Sequence, residues 1–372
     1  MRFSGLLAVF VLWLFASEAR AFDWEIQRID GRDYVSVVKI AEFYNLPRDV
    51  VPSNRQVYLS RGGRSLTARA DSRDFDINGV RYVLSFPVLE RNGQLWVSRM
   101  DVGKTIEPAF RPENIGGLKP FSLVVLDPGH GGQDKGAASP YEFEKNFALD
   151  VARRVRNELQ KAGLRVFMMR NNDSFVELQD RAALANAKQN CIFVSIHFNA
   201  TDTNPDANGL EIYSITPRGS PSTEYDTLLV RDMVQEYGNA NEVQSFALAH
   251  TIFHSLRGAN LDMADRGVKR ARFAVLRLTK MPAVLIEGGF LTNSGDAKRV
   301  ASTDWRNQYA KAIARGILAY RKLVETNQAP PTMADYRNGT ASVISAATPA
   351  PRPVNTPAPA PVNSINLRDL PQ

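Results

Sequence analysis

The chain has 372 residues, of which 44% are hydrophobic and 23% are charged. This is an ordinary globular composition, which excludes a collagen-like or wholly disordered protein, and the length predicts about two domains. The net charge of +7 is spread along the sequence without a basic run or zinc-finger spacing, so we do not expect a nucleic-acid partner. The single cysteine, Cys191, excludes an intramolecular disulfide, and we expect it to be a small core residue.

Residues 1–21 have the pattern of a secretory signal peptide. Arg2 precedes an apolar run from Leu6 to Ala16, and Ala19-Arg20-Ala21 fits the small-residue cleavage pattern. The apolar run is shorter than the roughly 20 residues that a membrane-spanning helix needs. We therefore expect an exported protein in the periplasm or the extracellular cell wall, with no stable membrane span after cleavage.

Residues 22–112 contain short alternating apolar runs separated by turn signals. Asn78-Gly79 and Asn92-Gly93 are typical of hairpin turns, because both residue types tolerate positive φ. We predict a small β-rich accessory domain that acts as a spacer or attachment module. The motifs that begin at Ile29-Asp-Gly-Arg and Ile77-Asn-Gly-Val resemble the copper-amine-oxidase N-terminal-like stalk domain of bacterial envelope proteins.

Residues 121–324 alternate strand and helix patterns, which predicts an α/β domain with an open, mostly parallel sheet and helices on both faces. Continuous apolar runs such as Phe121–Leu126 indicate strands that are buried on both faces. Phe147 begins a helical stripe with a four-residue period. The other predicted strands are Arg165–Met169, Cys191–His197, Gly209–Ser214, Phe273–Leu276 and Ala283–Glu287, and the other predicted helices are Glu177–Lys188, Phe246–Leu256 and Trp305–Leu323.

Residues 325–372 differ in composition from the rest of the chain. They hold nine of its 21 prolines, with alanine, threonine and asparagine between them. Such a segment buries too little apolar surface to offset the entropy of ordering, so we predict a disordered tail.

Two histidines and two glutamates occupy positions where an α/β sheet binds its ligands. His130 and His197 each follow an apolar strand, Glu287 ends another, and Glu144 opens a helix. A lone strand-end histidine is commonly structural, and Glu144 could simply balance the helix dipole. Two histidines and one glutamate, however, form the ligand set of a catalytic zinc site with one open position, and a further carboxylate can take a proton from water there.

A second histidine pair offers an alternative metal site. His250 and His254 are four residues apart on a predicted helix and share one face. The metalloprotease motif H-E-x-x-H needs glutamate where Thr251 stands. We therefore expect this pair to be packed in the core or exposed to solvent.

Four motifs in order make this region similar to a known family. They are Asp127-Pro-Gly-His-Gly-Gly-Gln-Asp-Lys-Gly-Ala137, Glu144-Lys145, Ser195-Ile-His-Phe-Asn-Ala200 and Pro282-Ala-Val-Leu-Ile-Glu-Gly-Gly-Phe-Leu-Thr-Asn293. Together they resemble the zinc-dependent N-acetylmuramoyl-L-alanine amidases of bacterial cell walls, over Phe121 to about Leu323. Arg170-Asn-Asn-Asp173 and Arg181 also match the family pattern.

The resemblance implies a role for each matching residue. His130, Glu144 and His197 would bind Zn²⁺, and Glu287 would be the general base and later the acid. Asn199 stands where some members carry aspartate, so a ligand role for it is doubtful. The substrate would be peptidoglycan, cleaved between N-acetylmuramic acid and the first L-alanine of the stem peptide during wall remodelling or cell separation.

The stretch 215–243 is longer than the family's minimal connection, and we predict a helix over Glu224–Tyr237 within it. This stretch has two possible roles. It is either a lid or groove loop that receives a protein activator, or plain surface decoration. Two other functions remain as alternatives to the amidase. The chain could be a non-catalytic cell-wall-binding protein or a zinc hydrolase of another amide. Glu287 favours an enzyme, because a binding module has little need of it.

Overall fold

The computed structural model describes residues 22–47, 55–61 and 64–341. The predicted signal peptide, residues 1–21, lies outside the described residues. Among the helices of the described ranges, none is both long enough and apolar enough to cross a membrane.

Two β-sheets, one of four strands and one of ten, are found in the described part of the chain. The strands are β1 (Gln27–Ile29), β2 (Arg32–Ser36), β3 (Gln56–Arg61), β4 (Arg64–Arg69), β5 (Asp74–Ile77), β6 (Val80–Val83), β7 (Leu89–Arg91), β8 (Gln94–Ser98), β9 (Leu123–Pro128), β10 (Arg165–Met168), β11 (Cys191–Asn199), β12 (Leu210–Ile215), β13 (Asp265–Ala271) and β14 (Ala283–Phe290).

Helices flank both sheets. They are α1 (Val37–Phe43), α2 (Arg99–Asp101), α3 (Glu107–Phe110), α4 (Glu144–Lys161), α5 (Leu178–Asn186), α6 (Glu242–Gly258), α7 (Ala274–Arg277), α8 (Ser294–Ala301), α9 (Thr303–Thr326) and α10 (Met333–Arg337). A π-helical turn, Val102–Ile106, joins α2 to α3, and 3₁₀ turns lie at Pro112–Asn114, Val230–Met233 and Tyr237–Asn241.

The large sheet has the strand order β10-β9-β11-β14-β12-β13-β6-β5-β4-β3. Strands β10, β9, β11 and β14 are parallel, β12 runs antiparallel to β14, and β13 is parallel to β12. The predicted α/β class, with a β-rich region before it, is confirmed. The sequence did not predict that β6 pairs with β13, so that β3 to β6 extend the same sheet.

Successive side chains of the parallel strands enter two separate apolar clusters, because a strand points alternate residues to opposite faces. Val124 and Leu126 pack in the cluster that contains the buried faces of α4, α6 and α9. Val125, Phe193 and Leu285 pack in a smaller cluster with α5 and α7. This second face also carries the candidate site, and its two helices are short.

Two sequence-based predictions of local structure are wrong, and one strand was missed. The apolar run Phe273–Leu276 is largely the helix α7, since a short apolar run has no distinguishing period. Residues 224–237 form turns and a short 3₁₀ helix instead of an α-helix, and Val230 is 90% exposed. A short helix needs an apolar face packed against the core, and the apolar side chains of this stretch are largely exposed. The charged strand β13 was not predicted.

The prediction of a disordered tail over residues 325–372 is wrong for its first part. Helix α9 continues to Thr326, and α10 follows with Met333 buried. Tyr336 packs closely against Gly258 of α6. A Cβ added to Gly258 would overlap the Cβ and the ring of Tyr336. Residues 342–372 lie outside the described residues.

Candidate metal centre

His130 follows β9 in a glycine-rich loop whose backbone lies very close to the side chains of the site. The residue itself has a left-handed φ of 57°. A Cβ on Gly129 would overlap the ring of His197, and a Cβ on Gly136 would lie 2.5 Å from Oε2 of Glu144 and 2.6 Å from the His130 ring. Glycine is therefore required at both positions for the two imidazoles and the carboxylate to meet.

Glu144 is the first residue of α4, and its carboxylate lies between the two imidazoles. Its Oε2 is 3.0 Å from Nε2 of His130, and its Oε1 is 2.9 Å from Nδ1 of His197. The backbone N–H groups of Ala137 and Phe198 also donate to this carboxylate, at 2.9 and 3.0 Å. The side chain is buried, so these four contacts hold a charged group away from water.

The three side chains form a group that could hold a metal ion. One ligand atom from each of His130, Glu144 and His197 lies within 4.8 Å of the others. On the far side of the His130 ring, Nδ1 lies 2.8 Å from Oδ2 of Asp134. A carboxylate in this place orients the ring and turns Nε2 toward Glu144, where a metal would bind.

The electrostatics of the group favour an ionised carboxylate. Burial opposes ionisation of Glu144, but hydrogen bonds with both imidazoles hold its pKa well below its usual range. For His130 burial acts against the charged form, yet the carboxylates of Glu144 and Asp134 raise its pKa. The pocket thus attracts positive charge, as a cation site must.

Glu287 lies on β14 directly beside His197 of β11 in the parallel register. Its Oε2 is inaccessible to solvent and has no hydrogen-bond partner. Burial, together with the negative charges of Glu144 and Glu211, raises the pKa of Glu287 well above its usual range. A carboxyl group with a raised pKa can take up and return a proton near neutral pH.

Two buried arginines hold the loop that carries His130. Arg170 donates to the carbonyls of Pro128 and Gly129, at 3.0 and 2.7 Å. Arg181 donates to the carbonyl of His130 at 2.9 Å and forms a 2.6 Å ion pair with Asp127. These are the arginines of the sequence pattern noted above, and their contacts fix the loop backbone.

Several residues near the centre were missed by sequence reasoning. Asp134 lies in the motif but was assigned no role. Lys269 lies on β13 among other charged residues, which give no local signal. Glu211 is the one charged residue of β12, and a lone acid in an apolar strand was a signal that could have found it. Asn199 donates from Nδ2 to Oε1 of Glu211 at 2.7 Å, so its amide is engaged with that carboxylate.

A cavity of about 430 Å³ opens beside the metal group. His130, His197 and Glu287 line one wall. The other walls are formed mainly by apolar side chains from the segments around α5 and α7 and from β14, namely Phe175, Val176, Leu178, Phe273, Val275 and Leu285. A substrate amide could therefore reach the centre through a partly apolar cleft.

The second histidine pair lies in the core, apart from this centre. Nδ1 of His250 is 2.7 Å and Nε2 of His254 is 3.1 Å from the hydroxyl of Tyr82 on β6. Burial lowers the pKa of both rings, that of His254 to about 4. Cys191 is also buried, in the smaller apolar cluster.

Comparisons with known proteins converge on one family. The family model described as N-acetylmuramoyl-L-alanine amidase matches residues 124–319. The chain is 39% identical over 197 residues to the N-acetylmuramoyl-L-alanine amidase LytC of Bacillus subtilis. It is 36% identical over 219 residues to the N-acetylmuramoyl-L-alanine amidase AmiC of Neisseria meningitidis. These matches cover 53% of this chain but only 35% and 52% of the relatives.

Among solved structures, AmiC2 of Nostoc punctiforme is 37% identical, with a TM-score of 0.44. That match covers 53% of this chain and 96% of the Nostoc chain.

Proposed function

We propose that this chain, which belongs to the N-acetylmuramoyl-L-alanine amidase family, hydrolyses the amide between N-acetylmuramic acid and L-alanine in peptidoglycan. The observation that carries the proposal is the gathering of His130, Glu144 and His197 with Glu287 beside them in register. A metal site and an adjacent carboxyl group are two parts of metal-assisted hydrolysis of an unactivated amide.

The donor set fits zinc. Two imidazole nitrogens and one carboxylate oxygen are among the ligand sets of catalytic zinc, and Asp134 supplies the outer-shell partner for one imidazole. Bound zinc would supply a Lewis acid that polarises the substrate carbonyl and makes water more acidic.

Glu287 is the residue that moves protons in this proposal. Its free Oε2 can accept a proton from the attacking water, and its raised pKa lets it hold that proton until the amine leaves. The proton then returns to the departing L-alanine amine, which would otherwise be a poor leaving group. Arg170 and Arg181 keep the backbone of the His130 loop fixed during this exchange.

Incubation of the purified chain with peptidoglycan sacculi tests the proposal. We expect solubilised wall with new N-terminal alanine and intact glycan strands. Glu287→Gln should lower kcat about 10²- to 10⁴-fold, the range of general acid–base catalysis, without loss of metal. A chelator should abolish the activity and added zinc should restore it.

The same assay separates the alternatives. A non-catalytic wall-binding protein would sediment with sacculi and release no alanine termini, with or without Glu287. A zinc hydrolase of another amide would leave sacculi intact but cleave peptide or amide substrates in a manner that depends on Glu287.

We also propose that the stretch 215–243 receives a protein activator. Val230, Met233, Val234 and Tyr237 are between 49% and 90% exposed, which is an unusual concentration of apolar side chains on one short loop. Replacing Val230 and Val234 with serine should abolish stimulation by an activator and leave basal activity unchanged. Loss of basal activity would argue instead that the loop is part of the substrate groove.

The proposed location is the periplasm or the extracellular cell wall, where peptidoglycan lies. The region 22–112 would act as an accessory domain there, and its resemblance to a stalk domain stays a prediction. Fractionation of cells that express the full chain, with the N-terminus of the recovered protein sequenced, tests both export and cleavage after Ala21.

A further inference from the structure

Four charged or ionisable side chains form a row across one face of the large sheet. His197 of β11 pairs in register with Glu287 of β14, and Glu287 pairs with Glu211 of β12. Tyr213, two residues after Glu211 on the same face, pairs with Lys269 of β13. The carboxylate of Glu211 therefore stands between the side chain of Glu287 and the ammonium of Lys269.

The two glutamates differ sharply in their contacts. Glu211 is 1% exposed and its carboxylate is saturated. Its Oε2 lies 2.6 Å from Nε of Arg266 and 2.6 Å from Nζ of Lys269, while the side chains of Asn199 and Tyr213 donate to Oε1 at 2.7 and 2.8 Å. Glu287, one strand away, has an inaccessible Oε2 with no partner.

The two cations on Glu211 differ in their freedom to move. The guanidinium of Arg266 lies 4.7 Å from the ring centroid of Phe290, which holds its plane. Lys269 carries a compact charge on a flexible four-carbon stem. Its side chain is only 16% exposed, so water would compensate its charge poorly if Glu211 were neutral. Glu287, on the neighbouring strand and with an unpartnered Oε2, is then an acceptor available to the ammonium.

We propose that Glu211 is a positioning residue that retains Lys269 as its ion-pair partner and thereby leaves the carboxylate of Glu287 free for proton transfer. This inference rests on the proposed function, in which Glu287 is the general base. Glu211 itself touches neither the metal group nor the substrate amide in this scheme. Its effect passes through the position of the Lys269 ammonium.

A double-mutant cycle tests the inference. In Glu211→Gln the ammonium should turn to Glu287, and kcat should fall about 10- to 100-fold with little change in KM, a part of the general-base contribution. Lys269→Met keeps the aliphatic stem and should change kcat less than about twofold on its own. In the double variant Lys269 no longer competes for Glu287, and Arg266 stays against the Phe290 ring, so kcat should recover to within about fivefold of Lys269→Met.

Tyr213→Phe is the matched control, because it removes a neutral donor from Glu211 and frees no cation. It should leave kcat unchanged. Metal content and thermal unfolding are measured for every variant. If Glu211→Gln alone does not fold, the double variant still decides, since it removes Glu211 and Lys269 together and leaves only Arg266, which keeps its contact with the Phe290 ring, without its carboxylate partner.

A folded, metal-loaded double variant that is as slow as Glu211→Gln would overturn the inference and assign Glu211 a purely structural role. Failure of the proposed function looks different. In that case wild type and Glu287→Gln would release equal amounts of alanine termini from sacculi, whatever residue occupies position 211.

Discussion

At the scale of single residues, the metal group depends on side chains that do not belong to it. Asp134 is bonded to the outer nitrogen of His130, and so decides which ring nitrogen faces Glu144. Tyr82 has the corresponding role for the buried pair His250 and His254. The first contact leads to a prediction about zinc affinity, and the buried histidine pair leads to a prediction about stability in acid.

Asp134→Asn should weaken zinc binding about 10- to 100-fold, the usual effect of an outer-shell change. The amide keeps the size of the side chain but loses the charge that orients the imidazole. Zinc affinity measured by competition with a chromophoric chelator checks this. Asp202→Asn, an exposed aspartate on the loop after β11, is the control and should bind zinc as wild type does.

His254 should make the protein less stable in acid. Burial lowers its folded-state pKa from 6.5 to about 4, so the unfolded chain binds the proton more readily between those pH values. The free energy of unfolding should therefore fall as pH drops from about 6.5 to 4, by about 3 kcal/mol from this residue.

Urea unfolding at pH 7 and pH 4 measures that loss, and His254→Gln should reduce it because glutamine does not titrate. An equal pH dependence in the variant and in wild type would show that other groups cause the acid sensitivity.

At the scale of elements, the centre is assembled where β9, β11 and the start of α4 converge. The loop after β9 passes so close to β11 that Gly129 has no room for a side chain beside His197. The rigidity of this junction comes from Arg170 and Arg181, which bind three successive loop carbonyls.

Gly129→Ala should displace His197 and abolish stoichiometric metal binding while the fold is retained. The added Cβ meets the imidazole ring, which must turn away from Glu144. Metal analysis of the purified variant, with circular dichroism for the fold, checks the prediction. Gly116→Ala is the control, since a Cβ there meets nothing within 4 Å; equal metal content in both variants would contradict the packing argument.

At the scale of the whole molecule, the β-rich region and the α/β region share a sheet and a core. Tyr82 is fully buried against α6, and Lys104 forms an ion pair with Glu242 at the start of that helix. Arg73 of the β-rich region also donates to the carbonyl of Tyr225 in the long loop at 3.1 Å. We therefore expect the two regions to unfold together.

Tyr82→Ala should destabilise the whole described fold by about 3–5 kcal/mol, because it opens a core cavity and removes the hydroxyl from two buried imidazoles. Urea unfolding followed by tryptophan fluorescence and circular dichroism should show one transition at a lower midpoint. Tyr58→Ala, on β3 with 63% exposure, should change stability by less than about 0.5 kcal/mol. Two separate transitions would contradict a shared core.

The sequence alone determined the α/β class, the stripe of α4 and the four residues that we propose as the centre. These features can be predicted without a structure because they are local patterns: a helical period, an apolar strand, or the residue type at the end of a strand. Phe147 and its repeat every four residues are buried as that pattern requires.

Only the tertiary structure decided that β6 continues the sheet beside β13, that Glu211 separates Lys269 from Glu287, and that residues 273–276 are helical. Each depends on which distant segments become neighbours. Strand pairing and the burial of charge arise from contacts between residues far apart in the chain, and a pattern along the sequence carries no record of them.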